Sequence, residues 1–329
     1  METALQNIRV QRWVLALSVT LLIGKLFAFY LTNSVAILTD ALEGIVNVAA
    51  GIVGLYSLHV SAKPRDNDHP YGHGKIEFIS AAAEGLMISI AGVLIIIEAV
   101  KHLIHPTELR QLDVGIVIVA VTAILNYIMG SVSVRTGKKN NSLALIASGK
   151  HLQSDTYSTV GLIVGLILIL ITKITWLDSA VAILFSSIIL YTGFKIIRTS
   201  VAGIMDERDH VLLDQMIKVL DRHRRKNWID LHNMRIIKYG STLHIDCHVT
   251  VPWYLNVHEA HDEVEKVGEI VRTEFKHAIE LFVHSDGCLP TSCPICIKDD
   301  CPVRHHAFEK RINWTVQNIE DDKKHQIST

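Results

Sequence analysis

Side chains able to bind metals and exchange protons recur in this sequence at spacings that would gather them. Asp40, Glu43 and Asn47 stand at i, i+3 and i+7 within an otherwise apolar run. At about 100° per residue they fall within roughly 60° of one another on one helix face. His151 and Asp155, in a later apolar run, are i, i+4 neighbours and share a face of their own. If the two runs pack side by side, Glu43, Asn47, His151 and Asp155 converge. Three oxygen donors and one imidazole suit a divalent first-row metal. The competing reading is a buried hydrogen-bond network that joins two helices. Ionisable groups at bilayer depth are costly, and where they occur they usually mark ion paths.

Three further groups lie outside the apolar runs. Asp66, His69 and His73 fall within the stretch Lys63-Pro-Arg-Asp-Asn-Asp-His-Pro-Tyr-Gly-His-Gly-Lys75, where Gly72 and Gly74 let the backbone fold tightly round an ion. The same stretch also reads as a solvated turn with ordinary surface histidines. Cys288, Cys293, Cys296 and Cys301 are spaced C-x4-C-x2-C-x4-C and followed by His305 and His306. Thiolates at these spacings suit tetrahedral zinc, while a redox pair, plain reduced thiols or an iron–sulfur cluster are the alternatives. His248, His261, His284 and Asp286 form a looser group whose meeting depends on the fold. Chance proximity competes with it, because the chain holds 18 histidines.

The elements that must position these residues are legible in the hydropathy pattern. Across the 329 residues the net charge is −1, but this averages two unlike parts. Residues 13 to about 199 are dominated by Leu, Ile, Val, Ala and Gly, and the remainder is charged. No basic stripe alternates with aromatics, so nucleic acid is not an expected partner. Six apolar segments, near 13–31, 35–58, 78–103, 113–134, 144–171 and 178–199, are long enough to cross a bilayer as helices. The first is expected to be a retained span rather than a cleaved signal peptide. One side of the bilayer receives Arg9, Arg12, Lys63, Arg65, Lys75, Arg135, Lys138, Lys139, Lys195 and Arg198. The other receives Lys101, Arg110 and Lys173. That bias with an even number of spans predicts both termini in the cytosol, which would keep the cysteine segment reduced. Lys25 can snorkel and Glu84 can pair locally, so neither is given a role.

From residue 206 the pattern changes to αββαβ. A helix is expected over 206–223, strands over 229–239 and 242–251 around Gly240-Ser241, a helix over 257–275 and a strand over 278–284. This order is typical of a ferredoxin-like layer of helices on a sheet. The stretch from Asp286 reads as irregular, then helical around 308–314, then a polar tail. The fold class is thus an α-helical membrane bundle of six transmembrane helices (1–205), a cytosolic α+β ferredoxin-like domain (206–287) and a Cys/His-rich cytosolic tail (288–329).

The run Asp68-His-Pro-Tyr-Gly-His-Gly-Lys75 resembles the signature loop of the cation diffusion facilitator family, and His151-x-x-x-Asp155 resembles half of that family's transport site. The resemblance covers nearly the whole chain. It implies a homodimer in a lipid bilayer that exports zinc or a related metal in exchange for protons. It places Glu43, Asn47, His151 and Asp155 at the transport site, and Asp66, His69 and His73 at a loop site. It also assigns metal binding and dimerisation to the domain carrying His248, His261, His284 and Asp286, and a charge pair to Lys75 and Asp206. One departure is plain: the family usually has His-x-x-x-Asp or Asp-x-x-x-Asp where this chain has Glu43-x-x-x-Asn47. Asp40, one turn away, is the alternative contributor to Asn47.

The expected mechanism is alternating access about a site near mid-membrane, in which metal and protons compete for the same ligands. Zinc is the first expectation as cargo and regulatory ligand, with iron(II) or manganese(II) behind it, and a bacterial inner membrane is the expected location. No phosphate-binding G-x-x-x-x-G-K-[ST] loop appears, so ATP is not required. A membrane metalloenzyme is a poorer reading, lacking an H-E-x-x-H motif; a membrane-anchored metal sensor and a passive metal channel are the other rivals.

Overall fold

The computed structural model describes residues 2–32, 35–104, 112–172, 176–240, 242–275 and 278–327. The chain divides into two compact units, Met1–Met205 and Asp206–Thr329.

The first unit is helical because the polar backbone of an apolar segment in lipid must satisfy its own hydrogen bonds. Its helices are α1 (Glu2–Thr32), α2 (Val35–Ser61), α3 (Ile76–Ile104), α4 (Leu112–Asn140), α5 (Leu143–Thr172) and α6 (Trp176–Ile204). Among the described residues, parts of α1, α3, α4 and α6 are long and apolar enough to cross a membrane, while α2 and α5 carry the ligand-type residues. Large side chains such as Ile23, Ile52, Leu94, Ile124 and Leu184 are exposed on the outer faces, as a hydrocarbon solvent allows.

Several helices outrun the apolar segments. α1 starts at Glu2 rather than near residue 13, and α4 ends at Asn140 rather than 134. The extensions are held by packing and polar contacts at the helix ends. Ile8 packs with Leu58 and Ala144, and the Asn140 amide donates to Asn7 Oδ1 at 2.6 Å. Glu77, in the first turn of α3, accepts from Ser61 of α2 at 2.7 Å and from Ser142, just before α5, at 2.5 Å. α4 and α5 meet backbone to backbone at Gly130 and Gly149: a Cβ on Gly149 would stand 2.7 Å from the Gly130 carbonyl oxygen. This close crossing lies two residues before His151.

The second unit has the predicted αββαβ order. α7 (His210–Arg222) starts at Asp209, whose carboxylate caps the amides of Val211 and Leu212. β1 (Asp230–Tyr239) and β2 (Thr242–Val251) pair antiparallel, and α8 (Val257–Glu274) carries the chain over to β3 (Ala278–Gly287), parallel to β2. The sheet order is β1-β2-β3. α8 begins with a capping box between Asn256 and Glu259. Leu213, Met216 and Leu220 of α7 and Val267 and Val271 of α8 close the core over Ile245, Cys247 and Val249.

The tail departs from expectation. Residues 308–314 are not helical; a 3₁₀ turn covers Pro290–Ile295 and a short helix, α9, covers Val316–Ile319. Nor is the last stretch a free polar tail. Trp314 and Ile319, 5% and 0% exposed, complete the domain core. Such burial outweighs local helix propensity, since each large apolar side chain is worth about 1.5–3 kcal/mol. The Arg224 guanidinium lies 4.2 Å over the Trp314 ring and donates to Ile312 O at 2.8 Å. Burial, then the charge of Arg311, lowers its pKa to about 10.

Candidate metal centres

Within the helical unit, α2 brings Asn47 to α5. The amide Nδ2 of Asn47 donates to the carboxylate of Asp155, although the two are 108 residues apart in sequence. His151, one turn before Asp155, is 4% exposed, and neither of its ring nitrogens has a hydrogen-bond partner among the described residues. The Asn47 Oδ1 is likewise buried and unpartnered. Buried polar atoms are rarely left so, because each forgoes about 1–3 kcal/mol of solvation or hydrogen bonding. An amide oxygen and an imidazole without partners among the described residues therefore lie beside the Asp155 carboxylate. Asp40 and Glu43, predicted for the same face, lie outside the residues whose side chains are described.

The loop between α2 and α3 draws its three ligands together. Asp66 Oδ1 accepts from the amide of His69 at 2.7 Å and from His69 Nδ1 at 3.1 Å, while Oδ2 lies 3.2 Å from His73 Nε2. One ligand atom from each residue lies within 4.8 Å of the others. Gly72 makes the bend possible with φ +91°, a conformation side chains disfavour. The His69 amide, and then the imidazoles of His69 and His73, hold the Asp66 carboxyl below its ordinary range despite some desolvation. An anionic oxygen with two imidazoles is a set that a borderline cation such as zinc accepts.

The sheet carries the second such group, and it differs from the predicted one. His232 of β1, His248 of β2 and Asp286 of β3 have ligand atoms within 4.8 Å of one another. Asp286 Oδ2 lies 3.4 Å from His232 Nε2 and 3.2 Å from His248 Nδ1. His232 pairs with His248 in one ladder and His248 with His284 in the next, so three histidines stand in one row. His284 Nε2 is farther from Asp286, at 3.8 Å. His261 is exposed on α8 and belongs to neither three-ligand group among the described residues.

His232 was not among the predicted ligands, and a β-bulge explains why. The hairpin register shifts between His232 and Arg235, where Asn233 takes φ +49°. Behind His232, Asp230 Oδ2 lies 3.4 Å from Nδ1 and accepts from the backbone of His325 at 2.9 Å. Burial would raise the Asp230 carboxyl, but His232 and His325 hold it far below the usual carboxylate range. Burial would lower His325, yet Asp230 raises it on balance. A carboxylate behind a ligand histidine fixes its tautomer and strengthens its donor nitrogen. Lys324 reaches the same place, 3.6 Å from Asp286 Oδ1.

The four clustered cysteines are free thiols lining one small cavity of about 30 Å³. Burial raises the pKa of Cys288 and Cys296, and the neighbouring thiols add to it. Lys75 and Asp206 fall in different units; Asp206 has φ +56°.

A bundle of apolar helices enclosing ligand-type residues, followed by a small α+β unit, is the architecture of a cation efflux transporter. Family models agree: one for the cation efflux transmembrane domain matches residues 12–205, and one for the cation efflux protein cytoplasmic domain matches residues 209–288. The chain belongs to the cation diffusion facilitator family. It is 34% identical to an uncharacterized transporter of Synechocystis over 243 residues, 74% of this chain and 78% of the relative. It is 27% identical to the cation-efflux pump FieF of Citrobacter koseri over 283 residues, 82% of this chain and 88% of that protein. The FieF protein of Pectobacterium atrosepticum is 27% identical over 278 residues, 82% and 89% of the two chains.

Proposed function

We propose that this protein exports a divalent transition-metal ion from the cytosol in exchange for protons, with zinc the preferred cargo and iron(II) or manganese(II) next. The observation that carries this is the buried His151, both ring nitrogens unpartnered among the described residues, one turn from the Asn47–Asp155 pair. Metal binding there requires a neutral imidazole and an ionised carboxylate, so proton and metal exclude each other. Rocking of the bundle then exposes the site first to the cytosol and then to the outside, where protons displace the ion. Glu43 adds the second negative charge that a dication needs, and Asp40 is the alternative contributor to Asn47.

The protein acts as a homodimer in a bacterial inner membrane, both termini in the cytosol. A dimer is supported by the open sheet face that presents Arg235, Asp246, His248, Phe282 and His284, with Phe282 60% exposed. The loop and sheet clusters load or sense the metal.

Metal flux into proteoliposomes, with and without an imposed pH gradient, tests the reading. Wild type and Asp155→Ala are compared across zinc, iron(II), manganese(II), cobalt and cadmium. Gradient-driven flux that vanishes in Asp155→Ala is expected. Flux that ignores the gradient would favour a passive channel, and no flux for any metal would favour an anchored sensor.

A further inference from the structure

We propose that Cys288, Cys293, Cys296 and Cys301 bind one zinc-class ion as a structural clasp that holds the tail against the cytosolic domain. The family match to the cytoplasmic domain ends at residue 288, so three of the four thiols lie beyond it.

The cysteines come from separate pieces of chain. Cys288 directly follows β3 and is fixed by its amide to Val251 O at 2.9 Å. Cys293 and Cys296 bracket a tight turn, with the Cys296 amide donating to Cys293 O at 3.2 Å, and Cys301 arrives from the following loop. All four line the same cavity, whose volume of about 30 Å³ suits a single ion or water. Its remaining walls join Ile229, Pro252, Leu289 and Val303 with Lys298 and Arg304, two cations that offset the net negative charge of a dication held by four thiolates.

The loop is also braced from behind. Arg304 donates to Cys293 O at 3.1 Å, Cys296 O at 3.1 Å and Lys298 O at 2.6 Å. These bonds gather the backbone carrying the thiols. Spacings that include C-x2-C suit tetrahedral zinc, with each sulfur about 2.3 Å from the ion. The thiols ring the cavity more widely than that: no three of them have sulfurs within 4.8 Å of one another. Binding therefore draws Cys293, Cys296 and Cys301 inward toward Cys288, the one anchored to the sheet. Beyond the clasp the chain continues to Trp314 in the core and to Lys324 and His325 beside the sheet histidines.

Cobalt(II) is the probe, added to reduced, metal-stripped full-length protein in detergent. Sulfur-to-cobalt charge transfer reports thiolate ligands alone, so the outcome is independent of the transport reading, whose ligands contain no sulfur. The expected result is a tetrahedral thiolate spectrum saturating at one cobalt per chain and displaced by zinc. It is lost in the Cys293→Ser/Cys296→Ser double variant and retained in Asp155→Ala and His232→Ala. On the wild type, zinc should protect four thiols from alkylation; the fifth cysteine, Cys247, is buried independently. Absence of the sulfur–cobalt bands, or equal alkylation with and without zinc, overturns the proposal even if the serine variant unfolds.

Discussion

Asn47 decides how much negative charge the buried site holds. As an amide it donates a hydrogen to Asp155, where a carboxylate would repel it and compete for protons. Asn47→Asp is expected to tighten zinc binding about tenfold at alkaline pH and to make binding steeper in pH by close to one proton, because a second carboxylate must ionise beside Asp155. Calorimetry in buffers of different ionisation enthalpy counts those protons; an unchanged proton count sinks the idea. In the sheet, Asp230→Asn removes the carboxylate behind His232 and should weaken zinc binding there about 10- to 100-fold. Zinc titration of the Asp155→Ala background measures this without the transport site. The approach of Asn47 to Asp155 was readable because helix periodicity sets each of them on a face that two neighbouring helices can share. His232 was not: a hairpin closed at Tyr239 and Thr242 and continued unbroken would set it opposite Val249, on the core side. Only the extra residue at the bulge turns it toward His248, and no short pattern announces that. His261 stands exposed on α8, outside both three-ligand groups among the described residues, since a helix near the sheet need not aim every histidine at it.

Elements set how closely the ligands approach. At the α4–α5 crossing, Gly149→Ala would push a methyl to 2.7 Å from the Gly130 carbonyl and 2.8 Å from the Val134 amide. The helices must separate, costing about 1–3 kcal/mol and shifting His151. A lower melting temperature with a greater loss of flux than Gly24→Ala is expected; an added Cβ at Gly24 meets nothing within 4 Å. In the other unit, Asp209 caps α7, and its removal in Asp209→Ala should cost about 1 kcal/mol. Desolvation opposes its ionisation, but Lys238 and the helix amides hold its carboxyl below 3.8. The stability it supplies is thus present above pH 3.8 and fades as pH falls through the lower folded value. Hydrogen exchange of the α7 amides at pH 6 and pH 3 should differ in wild type more than in the variant. The helix order and the αββαβ pattern were readable from apolar periodicity. The helix ends were not, because polar contacts such as Asn7 with Asn140 extend them past the apolar runs.

At the scale of the molecule, the tail is the part least visible in the sequence. Its composition suggests a solvated extension, yet Trp314 and Ile319 fill the domain core. A chain ending at Gly287 is expected to lose several kcal/mol of stability in its cytosolic unit, from two large side chains at about 1.5–3 kcal/mol each. Thermal unfolding followed by the fluorescence of Trp228 and Trp253 would measure it, and an unchanged midpoint would contradict the docking. Long-range packing of this kind depends on which core positions the rest of the chain leaves open, which periodicity does not report. The bulge at Asn233 has an inheritable consequence as well. Deleting that one codon would restore a regular hairpin and still leave His232 opposite His248, because Met234 would then pair with Cys247 directly between Arg235–Asp246 and His232–His248. A lineage could therefore gain or lose the bulge through a single insertion or deletion while His232 stays opposite His248. Comparing such chains by their histidines and acids alone would not detect the change.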